Sequence, residues 1–228
     1  MISIVIPTYN EALHIGKLVM YLKRAAHGDN LEIIVSDGGS HDNTMEIAEK
    51  AGAKAVLSPT KGRANQMNFG ASISNGNILY FIHADTFPPQ TFVTDIKNAI
   101  STGFGCGRYR TKFDSDKAIL KINAFFTRFD WFICYGGDQT FFIEKKIFNT
   151  LEGFNSSMKI MEDYEIVTRA KKITSYKIFS KPAIISARKY DNNSWFKVQN
   201  ANRTIIKMYK NGAAQDEIIN RYKQMLNY

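Results

Sequence analysis

The sequence predicts an α/β fold: a Rossmann-like, mostly parallel sheet flanked by helices, with more helices toward the C-terminus. Three observations carry this. Short β-prone apolar runs alternate with segments whose apolar residues recur at helical spacing, the habit of a parallel sheet. The run Ile78 to Ile82 is apolar at five consecutive positions, as in a strand covered on both faces. Each early run stops at polar or turn-forming residues, which gathers polar side chains along the sheet edge where ligands of open α/β sheets sit.

Ile2 to Ile6 is the first strand and stops at Pro7-Thr8-Tyr9-Asn10-Glu11. Ile15, Leu18, Val19 and Leu22 then mark a helix. Leu31 to Val35 is the second strand, followed by Ser36-Asp37-Gly38-Gly39-Ser40, with Ser40 expected as an N-cap, and by a helix ending at Gly52. Ala53 to Leu57 is a short third strand and Arg63 to Asn75 a helix, where Gly70 permits close packing on the sheet. Ile78 to Ile82 is a central strand, closed by His83-Ala84-Asp85-Thr86 and by Phe87-Pro88-Pro89, which cannot continue a ladder. A helix with Phe92, Ile96 and Ile100 follows, then a strand Arg108 to Phe113. Gly103, Gly105 and Gly107 mimic a dinucleotide fingerprint but lack its strand-then-helix context; they read as glycines that let backbone approach a ligand or a neighbour.

From Ala118 to Ile133 apolar residues keep to one helical face. The preferred expectation is a core-facing helix; the alternative is a greasy acceptor wall or a membrane-surface helix. A strand Thr140 to Ile143, a helix opening on the acidic cluster Glu162-Asp163, two strands at Tyr176–Phe179 and Ala183–Ala187, and a basic helical tail beyond Trp195 complete the chain. Residues 1–110 are read as a nucleotide-sugar-binding half, 111–190 as the acceptor-side half of the same domain and 191–228 as a helical extension.

With 44% hydrophobic and 22% charged residues, the 228-residue chain can bury a full core. No apolar run approaches the ~20 residues that span a bilayer, and the N-terminus reads as a strand rather than a leader, so a cytoplasmic protein is expected. Cys106 and Cys134 make neither a disulfide framework nor a zinc cluster. The net charge of +9 suits phosphorylated ligands or an anionic surface. No helix-turn-helix, zinc finger or RNA-binding aromatic pair accompanies it, so nucleic acid is not expected. A peripheral membrane contact and a homodimer stay open.

At the expected edge, Asp85 is placed to hold a divalent cation against a phosphate, or to cap a turn, with His83 as a core imidazole. Pro7-Thr8-Tyr9-Asn10-Glu11 can hold a base or ribose edge. Asp37 can accept from a base imide, with Gly38 allowing close approach, or simply serve an Asp-Gly turn. Lys61 and Arg63 can meet phosphates or a ribose, or form a solvated basic turn; their surroundings are not a P-loop.

Ile6-Pro7-Thr8-Tyr9-Asn10-Glu11, Ser36-Asp37-Gly38-Gly39-Ser40, His83-Ala84-Asp85-Thr86 and Glu162-Asp163, in that order, resemble a family-2 glycosyltransferase of the GT-A fold. Gly62-Arg63-Ala64-Asn65-Gln66-Met67-Asn68-Phe69-Gly70, Gly137-Asp138-Gln139 and Ser186-Ala187-Arg188-Lys189-Tyr190 extend the resemblance to a small bacterial subgroup labelled arsenosugar-biosynthesis or selenium-associated transferases. The resemblance spans about residues 2 to 196. It implies a nucleotide-sugar donor, UDP first, with uridine contacts at Pro7, Thr8, Glu11 and Asp37. It implies pyrophosphate and Mn²⁺ or Mg²⁺ at Asp85, with His83 where the family has a first acid and Ala84 between them. Asp163 takes the place of the acceptor base, Arg188 helps the leaving group, and Asp138 and Gln139 touch donor sugar or acceptor hydroxyls. The family's processive members carry Gln-x-x-Arg-Trp, whereas Lys189-Tyr190 follows Arg188 here, so a non-processive reaction is expected; the resemblance itself implies that it is inverting and metal-dependent. A nucleotidyltransferase and a non-catalytic nucleotide-sugar binder are the rival readings.

Overall fold

The computed structural model describes residues 1–136 and 139–227. Strand β1 (Ile2–Thr8) is buried along its whole length and leads into helix α1 (Ala12–Ala25), whose Ile15, Leu18, Val19 and Leu22 are fully buried. β2 (Leu31–Asp37), α2 (Thr44–Lys50), β3 (Lys54–Leu57), α3 (Arg63–Ser72) and β4 (Ile78–Phe81) continue the alternation. β1 pairs in parallel with β2 and with β4, and β2 pairs in parallel with β3. Because these strands run the same way, their carboxyl ends share one edge. α3 lies close on this sheet at Gly70, where a Cβ would come within 2.4 Å of Val5 Cγ1.

The second half departs from a simple alternation. β5 (Thr86–Phe87) is a two-residue strand that precedes α4 (Phe92–Ser101). β6 (Cys106–Phe113), α5 (Ala118–Phe126), β7 (Phe141–Glu144), α6 (Lys145–Thr150), α7 (Glu162–Ala170) and β8 (Tyr176–Ile185) follow. The eight strands lie in the order β3-β2-β1-β4-β7-β6-β8-β5. β7 runs antiparallel to β4 and β6, whereas β6 and β8 are parallel. The glycines before and within β6 let backbones close up: a Cβ on Gly107 would come within 2.2 Å of the Lys177 carbonyl oxygen.

Four expectations are corrected. Phe87 does join a ladder: Thr86 and Phe87 pair antiparallel with Ile185 and Ile184 before the prolines intervene, which an outermost strand permits. The two late strands are one, with a register shift at Tyr109/Arg110 absorbing the break. Ser40 does not cap α2; its hydroxyl is spent on Asp37, and the Asp42 carboxylate accepts from Thr44 N instead. Finally, α5 stops at Phe126 and buries only Leu120, so it is not a core-facing helix continuing to Ile133. The Thr127 hydroxyl donates to Ala124 O and accepts from Thr111 N of β6, while Arg108 Nη2 donates to Phe129 O. These side-chain bonds turn the chain where helical periodicity alone would have continued. Extended Trp131 then leads into a 3₁₀ turn, Phe132–Cys134.

Helices α8 (Trp195–Lys210) and α9 (Gln215–Met225) share a core cluster with α7: Val198, Ala201, Ile205 and Ile218 pack with Ile166 and Val167. Among the described residues, no helix is long and apolar enough to cross a membrane.

Candidate active site

The site starts from the carboxyl ends of β1 and β2, where Thr8 and Asp37 are register partners. The fully buried Asp37 carboxylate accepts from four donors: the Thr8 hydroxyl at 2.9 Å, Gly39 N at 2.8 Å, Ser40 N at 2.7 Å and the Ser40 hydroxyl at 2.6 Å. It holds the loop between β2 and α2 against β1. Gln66, reaching down from α3, donates through Nε2 to the carbonyls of Thr8 (2.7 Å) and Ser36 (2.8 Å), tying the two strand ends together. Gly38 leaves room for that amide, since a Cβ there would come within 3.0 Å of it. Pro7 is buried, Tyr9 is half exposed, and Lys61 is exposed beside the Gly39 turn.

The end of β4 supplies the second element. Thr86 N donates to His83 O, making a tight turn; His83 and Asp85 are half-buried and Ala84 is buried between them. The Arg188 guanidinium, arriving after β8, joins two carboxylates. It forks onto Glu11 at 2.6 and 3.1 Å, and its Nε lies 3.2 Å from Asp85 Oδ2. Both carboxylates are largely buried, at 14% and 11% exposure, while Arg188 is 52% exposed.

The third element is the first turn of α7. Met161, buried and left-handed at φ 70°, turns the chain so that Glu162 and Asp163 open the helix. Carboxylates there are favoured by the helix dipole. Glu162 is 3% exposed and ion-pairs with Arg63 at 3.2 Å, which draws the start of α3 to the start of α7. Burial, with the Asp163 carboxylate adding to it, pushes the neighbouring Tyr164 phenol well up, so it stays protonated at neutral pH. Burial likewise pushes the Cys106 thiol up to about 12 and raises that of Cys134, so neither is an activated nucleophile.

Asp85, Arg63, Gln139, Asp163 and Arg188 line one cavity of about 1340 Å³. Glu11 is tied to it through Arg188, while Pro7, Thr8, Tyr9, Asp37, Gly38 and Lys61 form the adjoining edge. Gln139 is buried and donates to Cys134 O at 2.6 Å; among the described residues its Oε1 has no hydrogen-bond partner. Asp138 lies outside the described residues. Gln66 and the Arg63–Glu162 pair were missed as functional contacts. The one available signal was that Arg63 and Gln66 stand three apart on one helix, where they are neighbours.

A divalent cation fits this corner as a partial site. Asp85 offers carboxylate oxygen and His83 an imidazole two residues away, a donor pair that suits Mn²⁺ better than Mg²⁺. Among the described residues no group of three His, Cys, Asp or Glu gathers to hold an ion alone. The remaining ligands would have to come from water or from a bound molecule.

This sheet, with its polar edge opening on a cavity, defines the GT-A class of glycosyltransferase fold. The family-2 glycosyltransferase model (Glycosyl transferase family 2) matches residues 3–163, and the chain belongs to that family. It is 26% identical over 209 residues to a PGL/p-HBAD biosynthesis glycosyltransferase of Mycobacterium tuberculosis, covering 82% of this chain and 72% of that protein. Among solved structures it is similar to S. aureus TarS in complex with UDP-GlcNAc: TM-score 0.67, 17% identity, 82% of this chain and 58% of that one. It is also similar to the mannosyltransferase PcManGT of Pyrobaculum calidifontis in complex with GDP-Man and Mn²⁺: TM-score 0.69, 16% identity, 98% of this chain and 69% of that one.

Proposed function

We propose that this glycosyltransferase moves a sugar from a nucleotide donor, UDP first, to an acceptor hydroxyl in one inverting, non-processive displacement. The observation that carries the reading is that Asp85, Arg188 and Asp163 line a single cavity. On the motifs quoted above, we also assign it to the small bacterial subgroup.

The nucleoside lies along Pro7, Thr8, Tyr9 and Glu11, with a base imide exchanging for one of the donors on Asp37. Gly38 lets the ring approach backbone, and Lys61 and Arg63 meet ribose or phosphate. Mn²⁺ or Mg²⁺, when bound at Asp85 beside His83 and Ala84, supplies positive charge for the diphosphate leaving group. Arg188 adds a guanidinium suited to bidentate contact with phosphate oxygens. Gln139 and Asp138 contact sugar or acceptor hydroxyls. Asp163 accepts the proton of the attacking hydroxyl as that oxygen bonds to the anomeric carbon and the nucleoside diphosphate departs from the opposite face.

The test is a thermal-shift panel of nucleotide sugars with and without Mn²⁺, read beside donor hydrolysis. Stabilisation that needs both a nucleotide sugar and Mn²⁺, with slow hydrolysis, is expected. Stabilisation without hydrolysis or transfer would favour the non-catalytic binder, and no response to any nucleotide sugar would refute both.

A further inference from the structure

From sequence, the apolar stretch after Ala118 reads as a core helix or else as a greasy acceptor wall or a membrane-surface helix. The structure removes the core reading and places the stretch beside the candidate base. Ile122, Phe126, Trp131 and Ile133 are 50%, 42%, 50% and 54% exposed, yet all four line the cavity that Asp163 and Arg188 line. They form a braced surface: Trp131 stacks on Phe129 at 4.6 Å between ring centroids, and its ring lies 6.0 Å from that of Phe126. The lining also includes Val198, Ile205 and Ile206 of α8 and Leu226 just after α9, where the core of the C-terminal helices meets the cavity. Asn123 joins these parts of the lining, accepting from Trp195 Nε1 at 3.0 Å and donating to the Tyr190 hydroxyl at 3.2 Å.

Two further features give the occupant its chemistry. At about 1340 Å³ the cavity exceeds the ~300–1,000 Å³ usual for a small-molecule site, room for more than a sugar and its acceptor hydroxyl. Gln139 lines the same cavity, and its buried Oε1 has no partner among the described residues, so an acceptor stands unused beside the lining.

We propose that the acceptor is an amphiphile, a hydroxylated head on an apolar chain, with the head at Asp163 and Gln139 and the chain along the Ile122–Phe126–Trp131–Ile133 wall. The proposal rests on the glycosyl-transfer reading and deepens it. A membrane-docking face accounts less well for these residues, because they line a cavity with further apolar lining rather than an outward surface alone.

Trp131 and Trp195 are the only tryptophans of the chain and both line the cavity, so their fluorescence reports on its contents. The experiment titrates hexyl, octyl and decyl β-D-glucopyranoside, each below its micelle threshold, into the full chain, with glucose as the chainless control. A saturable fluorescence change is expected, with the dissociation constant falling about two- to fourfold per added methylene; the upper figure corresponds to complete burial of the group. Ile133→Ser and Phe126→Ser should each flatten that dependence while leaving the thermal stabilisation by UDP with Mn²⁺ unchanged. The wild-type chain-length series decides the matter even if a variant fails to fold. Nucleotide-sugar stabilisation without chain-length dependence overturns the amphiphilic acceptor and leaves glycosyl transfer standing; absence of any nucleotide-sugar response overturns the reading beneath it. A response to phosphatidylcholine–phosphatidylglycerol vesicles but not to monomeric glucosides also overturns the proposal, as does a dimer whose interface closes the wall to both.

Discussion

Replacing Arg188 with methionine should tighten the binding of Mn²⁺ in the absence of nucleotide while crippling transfer. The guanidinium Nε lies 3.2 Å from Asp85 Oδ2. For unit charges at that distance and an effective dielectric constant near 20, the gross attraction is about 5 kcal/mol. Arg188 is 52% exposed, so solvent reduces the net value toward that of surface ion pairs, about 1 kcal/mol. An incoming cation must displace this interaction before Asp85 can serve it, so removing the guanidinium should strengthen Mn²⁺ binding about fivefold. The same change removes the guanidinium that Glu11 and Asp85 share, so the metal-free melting temperature should fall and added Mn²⁺ should restore more of it than in the wild type. Transfer should drop about 10²- to 10³-fold, the usual loss when one donor to a developing anionic charge is removed. Titration of free Mn²⁺ by electron paramagnetic resonance, paired with melting curves, gives both quantities. Mn²⁺ affinity that is unchanged or weaker in the variant would refute the competition for Asp85.

The other expectations test the base, the scaffold and the acid limb of stability. Asp163→Asn should keep the thermal shift given by nucleotide sugar and lower transfer about 10²- to 10⁴-fold; equal loss of both would remove Asp163 from the role of base. Gly70→Ala drives a methyl into Val5 and should cost about 1–3 kcal/mol, a fall of roughly 2–4 °C per kcal/mol in melting temperature. Gln66→Leu breaks two buried hydrogen bonds to strand carbonyls, for a loss of about 2 kcal/mol and weaker nucleotide binding in isothermal calorimetry. Burial alone would raise the Glu32 carboxyl pKa, but hydrogen bonds from the Ser3 hydroxyl and from the backbone and side chain of Asn75 outweigh it and hold the value below the ordinary one. The stabilisation this gives is present above the unfolded carboxylate pKa and is lost as pH falls through the folded one. Glu32→Gln should therefore lower the melting temperature at pH 7 and flatten its decline in acid.

The first half was legible because its signals are local. Mostly apolar runs in β1 and β2 and the unbroken one in β4 announce buried strands, and each ends in a polar turn a few residues long. Even the close approach at Gly70 could be anticipated from its place on α3. The second half was harder to read because its structure is decided across the sheet. Phe87 is a strand residue only because Ile184 lies beside it, and α5 ends where β6 presents Thr111 N and the Arg108 side chain. The site divides the same way: Asp37, Asp85 and Asp163 stand out within short motifs, whereas the Arg188 bridge to Glu11 spans 177 residues and the Arg63–Glu162 pair spans 99. Asp37 shows a further limit, since the residue is visible in the sequence but the four donors that occupy its carboxylate are not.

The packing of α8 and α9 separates two kinds of change. On the proposed reading the nucleotide contacts come from the strand ends of the first half, whereas these last helices add to the cavity lining and are fixed in place by mutual hydrogen bonds between Asn193 and Asn227. Grafting that helical pair from one relative onto the sheet of another would recast the shape offered to the incoming alcohol while leaving the grip on the activated sugar untouched.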